Sequence, residues 1–156
     1  MDEKDEAILT ILRRRSGLSS RALSNMLNIP ISTVHRRIKR LEKQGIIVGY
    51  RAIVNFEPTI WPIGAFLLIN LAEVIPGKGH IPKKDILQSL SGYTEIDEII
   101  EVQAASFDIV VKARFRNLRA LSDFLEELRS IEGIEETTSA IITDEMVHPP
   151  STIIVK

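Results

Sequence analysis

The chain has 156 residues, 44% of them hydrophobic, which is ample for a packed core in one domain or two small ones. It contains no cysteine, which excludes disulfides and thiolate metal sites and agrees with a cytoplasmic setting. The net charge of −1 conceals a division: residues 1–55 hold 11 Lys/Arg against 5 Asp/Glu, whereas residues 56–156 hold 9 against 16. A basic head on an acidic body points to a nucleic-acid-binding domain joined to something else.

Asp2 to Arg14 reads as a first helix. Ala7, Ile8, Ile11 and Leu12 make its apolar face, its acids fill the first turn, and Arg13-Arg14-Arg15 follow at its end, which suits the helix dipole. The acidic start does not resemble a signal peptide. After Ser16-Gly17, Ser19 is placed to cap a second helix, with Leu18 and Leu23 at the staple positions and Leu27 extending the buried edge. Asn28-Ile29-Pro30 closes that helix and opens a third, because proline fits a first turn but not an interior.

The third helix, Ile31 to Gln44, carries most of the functional signal. At about 100° per residue, Val34, Ile38 and Leu41 share one face and Ser32, Arg36, Lys39 and Lys43 lie nearly opposite, with Thr33, His35 and Arg40 on the flanks. Cations and hydroxyls on the second helix of a compact pair suit major-groove insertion. Arg37 falls beside the buried face, so it is expected to pair within the domain, with Asp5 or Glu6 as partner. Gly45 is expected to cap the helix, with Ile46–Val48 and Arg51–Val54 forming a small hairpin wing.

The segment LNIPISTVHRRIKRLEKQGIIVGY resembles the winged helix-turn-helix of the Lrp/AsnC family, the feast/famine transcription regulators, and DEKDEAILTIL resembles that family's first helix. The expected DNA-contacting set is Ser20, Arg21, Ser32, Thr33, His35, Arg36, Lys39, Arg40 and Lys43. Residues 1–55 form the expected DNA-binding domain, 56–62 a linker marked by Pro58 and Pro62, and 63–156 the second domain.

In that second domain the pattern is mixed. Gly64–Glu73 reads as a strand, Val74–His80 as a loop, and Pro82–Leu90 as a short helix. Glu95–Ala104 and Phe107–Arg116 read as strands joined by a very short turn. Asn117 is placed to cap a helix to Arg129, whose Leu118, Leu121, Phe124, Leu125 and Leu128 follow helical spacing. Gly133 stops it, Ile134–Thr143 is a strand, and Thr152–Val155 is a candidate for another. The order is β-α-β-β-α-β, so the fold class is α+β, a winged helix-turn-helix followed by a ferredoxin-like domain. Phe66 and Leu68 alternate with Leu67 and Ile69, so both sheet faces carry apolar groups and a second copy is the expected cover. The expectation is therefore a homodimer; the resemblance implies further assembly into tetramers or octamers.

The resemblance also implies an amino-acid effector pocket between subunits at the turn Ala105-Ser106-Phe107-Asp108, near Thr137 and Thr138. Hydroxyls and backbone N–H groups would hold a carboxylate, Asp108 an ammonium, and Phe107 would supply an apolar wall. Family members usually carry glycine where this chain has Ala105, and a Cβ there disfavours positive φ. The alternative is a plain hairpin turn whose Asp108 satisfies local N–H groups.

His35, His80 and His148 form no ligand-spaced cluster, and no nucleotide-binding or nucleophile motif is present, so neither a metal nor another cofactor is expected. The longest apolar run, near Ile63–Ile69, is too short to span a bilayer. The principal reading is a transcription regulator that binds double-stranded DNA. The competing reading is an enzyme on the same scaffold, since sirohaem (tetrapyrrole) decarboxylases resemble this family in both domains.

Overall fold

A computed structural model describes residues 1–72, 74, 77, 79 and 81–145. The expected strand Thr152–Val155, His80 and His148 lie outside the described residues. The described chain divides into two compact units, Met1–Val54 and Asn55–Glu145.

The first unit is three helices. In α1 (Glu3–Leu12) the Asp2 side chain caps the N-terminus and Asp5 returns a bond to the Asp2 N–H, each at 3.0 Å. In α2 (Ser20–Leu27) the Ser19 hydroxyl accepts from the Ala22 N–H, and Asn28 ends the helix in the left-handed region at φ 52°. Pro30 then leads into α3 (Ile31–Lys43). Ile8, Leu12, Leu23, Ile29, Val34 and Leu41 form the buried core, with Leu18, Leu27 and Ile38 packed against it. Because α3 gives Val34 and Leu41 to this core, its opposite side is left to water.

The expected wing does not form as a ladder: residues 46–54 contain no strand, and Val48 is 94% exposed. The physical reason is at the end of α3. Gly45 turns at φ 68°, and the N–H groups of Ile46 and Ile47 both bond back to the Leu41 carbonyl, which occupies donors a first strand would need. A lone two-stranded ribbon is marginal in water in any case. The Ser16 hydroxyl holds the later part of the segment by donating to the Arg51 carbonyl at 2.7 Å.

The second unit runs β1 (Ile63–Leu71), α4 (Lys83–Leu90), β2 (Ile96–Glu101), β3 (Ile109–Phe115), α5 (Leu118–Ser130) and β4 (Ile134–Ile141). The sheet order is β2-β3-β1-β4 with every neighbouring pair antiparallel, so β3 inserts between β1 and β2 as the ferredoxin-like arrangement requires. Ala65, Leu67, Ile69, Ile109, Val111, Ala113 and Phe115 point to one face, where Ile86 and Leu90 of α4 and Leu121, Phe124 and Leu128 of α5 cover them. The other face carries Phe66, Leu68, Val110 and Ile100, with Phe66 37% and Ile100 41% exposed.

Two details differ from expectation. The strands β2 and β3 are joined by seven residues, 102–108, rather than by a very short turn. Leu118 is 56% exposed, since the first residue of α5 lies beyond the edge of the covered face. Asn117 caps α5 as expected, accepting from the Ala120 N–H at 2.9 Å. Gly133 sits at φ 95° with the Ile86 side chain 2.7 Å from where a Cβ would stand, so both conformation and space require glycine.

Leu67 is fully buried between β3 and β4, and its removal leaves a cavity the sheet cannot close. Leu67→Ala is expected to lower stability by about 2–5 kcal/mol. Denaturant unfolding checks this; a loss under about 1 kcal/mol would contradict the packing described.

Candidate nucleic-acid interface and effector loop

Helix α3 sorts its cations by what faces them. Arg37, on the flank of the core, donates to both oxygens of Asp2 at 2.8 and 2.7 Å and to Asp5 at 2.8 Å. Asp5 is fully buried on α1, and its second oxygen accepts from Arg40. The pairing expected for Arg37 with Asp5 is therefore present; Glu6 is not the partner, and Asp2 is the residue the sequence reading missed. The Asp-x-x-Asp spacing of a capping box was the signal that could have found it.

Arg40, expected among the DNA contacts, pairs with Asp5, and half of its side chain remains exposed. It lies one turn from Arg36 on the α1 side of the stripe, within reach of the buried carboxylate. Ser32, His35, Arg36, Lys39 and Lys43 are exposed on α3, and Thr33 is half-buried beside them. Lys39 pairs with Glu42 at 2.8 Å, and Glu42 also accepts from the Tyr50 hydroxyl at 2.9 Å. At the start of α2, Arg21 is exposed and Ser20 half-buried.

The Arg37 hydrogen bonds, helped by the Asp5 N–H, pull the Asp2 carboxyl down to about 2. For Asp5, burial pushes the pKa up, but the bonds from Arg37 and the Asp2 N–H together with the charge of Arg40 outweigh it and hold the group below its ordinary value. Among the described residues no cluster of metal-ligating side chains occurs.

At the effector loop, Ala105 and Ser106 are exposed while Phe107 and Asp108 are half-buried. Ala105 keeps a negative φ; among the described non-glycine residues only Asn28 is positive. Asp108 is already engaged. One carboxylate oxygen accepts from the Leu71 N–H at 2.9 Å, and the other lies 3.8 Å from Lys83, which also pairs with Glu101 at 3.0 Å. Sequence reading found neither Lys83 nor Glu101, because only the fold brings the start of α4 to the end of β2.

Thr137 and Thr138 do not face one pocket. Thr137 pairs in register with buried Ile69, is 6% exposed on the helix-covered side, and its hydroxyl has no hydrogen-bond partner among the described residues. Thr138 pairs with Leu68 and is exposed on the open face. Strand alternation makes the separation unavoidable.

Arg37→Ala is expected to lower the melting temperature of the helical domain, because it leaves a buried carboxylate with one guanidinium instead of two. Arg36→Ala, on the exposed side, should stay within about 0.5 kcal/mol of the parent. Equal melting temperatures for the two variants would refute the division. The sign with pH follows from the lowered carboxylates. Their contribution is complete above the unfolded value of about 4 and is lost as pH falls toward the folded value. Melting from pH 5 down to 2 should therefore be steeper for the parent than for Arg37→Ala.

A model for winged helix-turn-helix DNA-binding domains matches residues 1–48, and one for the Lrp/AsnC ligand-binding domain matches residues 80–152. The chain is 36% identical over 152 residues to the HTH-type transcriptional regulator FL11 of Pyrococcus furiosus, covering 97% of this chain and 94% of that one. It is 35% identical to the regulator of the same name from Pyrococcus abyssi, covering 91% and 89%. Among solved structures it is similar to a Neisseria meningitidis transcriptional regulator in complex with L-Met, at TM-score 0.78 and 25% identity over 97% of this chain and 96% of that one. It is also similar to the Mycobacterium tuberculosis leucine response regulatory protein, at TM-score 0.77 and 25% identity over 98% and 99%. The three-helix unit with its exposed cationic stripe and the βαββαβ unit that follows it in sequence agree with both matches: the chain belongs to the Lrp/AsnC family and is a DNA-binding transcriptional regulator, not an enzyme.

Proposed function

We propose that the chain works in the cytoplasm as a homodimer, assembling further to a tetramer or octamer. Its paired α3 helices read pseudo-palindromic duplex DNA, with half-sites about one turn or a whole number of turns apart. The observation that carries this reading is the division of α3: one side fastened to α1, the other presenting Ser32, His35, Arg36, Lys39 and Lys43 to water. Thr33 flanks that surface, and Ser20 and Arg21 belong to the proposed contact set. The half-exposed Phe66 and Ile100 on the uncovered sheet face support self-association, because a second sheet is the economical cover for such a face.

An amino acid is the proposed modulator, with the loop Ala105-Ser106-Phe107-Asp108 as its seat and Thr138 on the open face nearby. The L-Met complex of the Neisseria meningitidis relative supports the ligand class. Because Asp108 already holds the Leu71 N–H, it offers an ammonium only the oxygen that Lys83 approaches. Weak amino-acid affinity is the consequence.

DNA selected from a random pool by the full chain supplies the probe. Arg36→Ala should lose about 1–3 kcal/mol of affinity for it if Arg36 meets a base edge. Gel retardation showing no loss would remove Arg36 from the interface. In sedimentation at micromolar concentration the parent should run as a dimer or larger and Phe66→Glu as a folded monomer; a monomeric parent would rule the assembly out. Calorimetric titration with the twenty amino acids tests the loop. A submicromolar dissociation constant for the parent would show Ala105 and the engaged Asp108 to be no obstacle. Unchanged affinities in Ala105→Gly would take the loop out of the site.

A further inference from the structure

The stretch expected as a linker is ordered by its own bonds. The Asn55 side chain accepts from the Glu57 N–H at 3.1 Å, and the Phe56 carbonyl accepts from both the N–H and the hydroxyl of Thr59, at 2.9 and 2.7 Å. The Thr59 hydroxyl in turn accepts from the Trp61 N–H at 3.1 Å. Both aromatic rings of this stretch lie on cations at the end of β3. Phe56 sits 4.1 Å from the Arg114 guanidinium and Trp61 5.4 Å from that of Arg116, inside the range of cation–π attraction.

Arg114 is built to be a fixed platform. It is 7% exposed on the face that otherwise carries Phe66 and Leu68, and it pairs with Asp97 at 3.3 Å and with Glu145. Opposite it in register stands Gly64, where a Cβ would come within 2.7 Å of the guanidinium. The ion pairs fix the head of Arg114 and the missing Cβ makes room for it, so the face it offers Phe56 is held still. A guanidinium held this way loses little further freedom when a ring stacks on it.

We propose that Arg114 and Arg116 are positioning residues for DNA reading: by stacking on Phe56 and Trp61 they strap residues 55–61 to the sheet domain. The strap sets where the tether of the DNA-binding domain begins. The tether's free length is then shorter than the sequence suggests, and length sets which spacings two linked binding modules can span. The inference rests on the two-half-site reading proposed above.

The test uses the full chain and the double variant Phe56→Ala/Arg116→Gln, which removes the Phe56 ring, releases that of Trp61 and leaves Arg114 with its carboxylates. Trp61 is the single tryptophan, so its quenching by acrylamide reports the strap without DNA. The quenching constant should rise about twofold in the double variant and stay at the parent value in Phe56→Tyr, which keeps both guanidinium stacks. No change in the double variant overturns the strap, whatever the DNA does.

The second arm uses the selected duplex and a version with about half a turn, roughly 5 bp, inserted between half-sites. The parent should bind the lengthened duplex at least about tenfold more weakly, and the double variant by less than about threefold, with affinity for a single half-site unchanged. A double variant that keeps the parent's penalty overturns the positioning role. A parent with no penalty and a monomeric sedimentation profile contradicts the two-half-site reading, and with it the positioning role, while quenching still decides whether the strap exists.

Discussion

The buried carboxylate of Asp5 is the constraint on which the DNA-binding unit depends. A carboxylate removed from water is costly unless charges and hydrogen bonds replace its hydration. Asp5 meets that demand with Arg37 on one oxygen and Arg40 and the Asp2 N–H on the other, and Asp2 supplies a second acceptor for Arg37. Two cations of α3 are thereby committed to α1, and they fix the rotation of α3 about its axis. Once that rotation is set, Val34 and Leu41 must point inward, and Arg36 and Lys43 must point away. The same electrostatics that hold the domain together decide which charges remain for a phosphate or a base.

How much of this was legible in the sequence differed by kind of signal. Periodic features were legible: the three helices, the Ser19 and Asn117 caps, the apolar face of α3 and the βαββαβ order all follow from spacing and capping chemistry that act within a few residues. The internal role of Arg37 was legible for the same reason, from its angle to Val34. What was not legible depends on groups far apart in sequence. Arg40 has the helical position of a phosphate contact, and only the approach of α1 shows that Asp5 claims it. The wing's expected strand pairing is absent because hydrogen bonds to the Leu41 carbonyl, not strand propensity, decide the path of residues 46 and 47.

The candidate effector loop gives a similar lesson. Phe107 and Asp108 could be aligned with a family pattern, yet the engagement of Asp108 comes from Leu71 and Lys83, which lie on other elements. Thr137 and Thr138 looked equivalent as a pair of hydroxyls. In a strand they are opposites, one buried against Ile69 and one exposed beside Leu68. The connector adds the same kind of information: Pro58 and Pro62 mark a spacer, and only the fold shows that Phe56 and Trp61 meet Arg114 and Arg116 at the end of β3. In each case the residue type was read correctly and the partner supplied by topology was not.

The central claim is that α3 carries two populations of cations, one holding the fold and one facing the groove. Counterion release distinguishes them, because each phosphate neutralised adds about 0.9 to the slope of log K against log salt concentration. Binding to the selected duplex should be measured across a salt series for the parent, Lys43→Ala and Arg40→Ala. The account predicts a slope smaller by about one for Lys43→Ala and an unchanged slope for Arg40→Ala. A drop of about one in Arg40→Ala, with Lys43→Ala matching the parent, would contradict it.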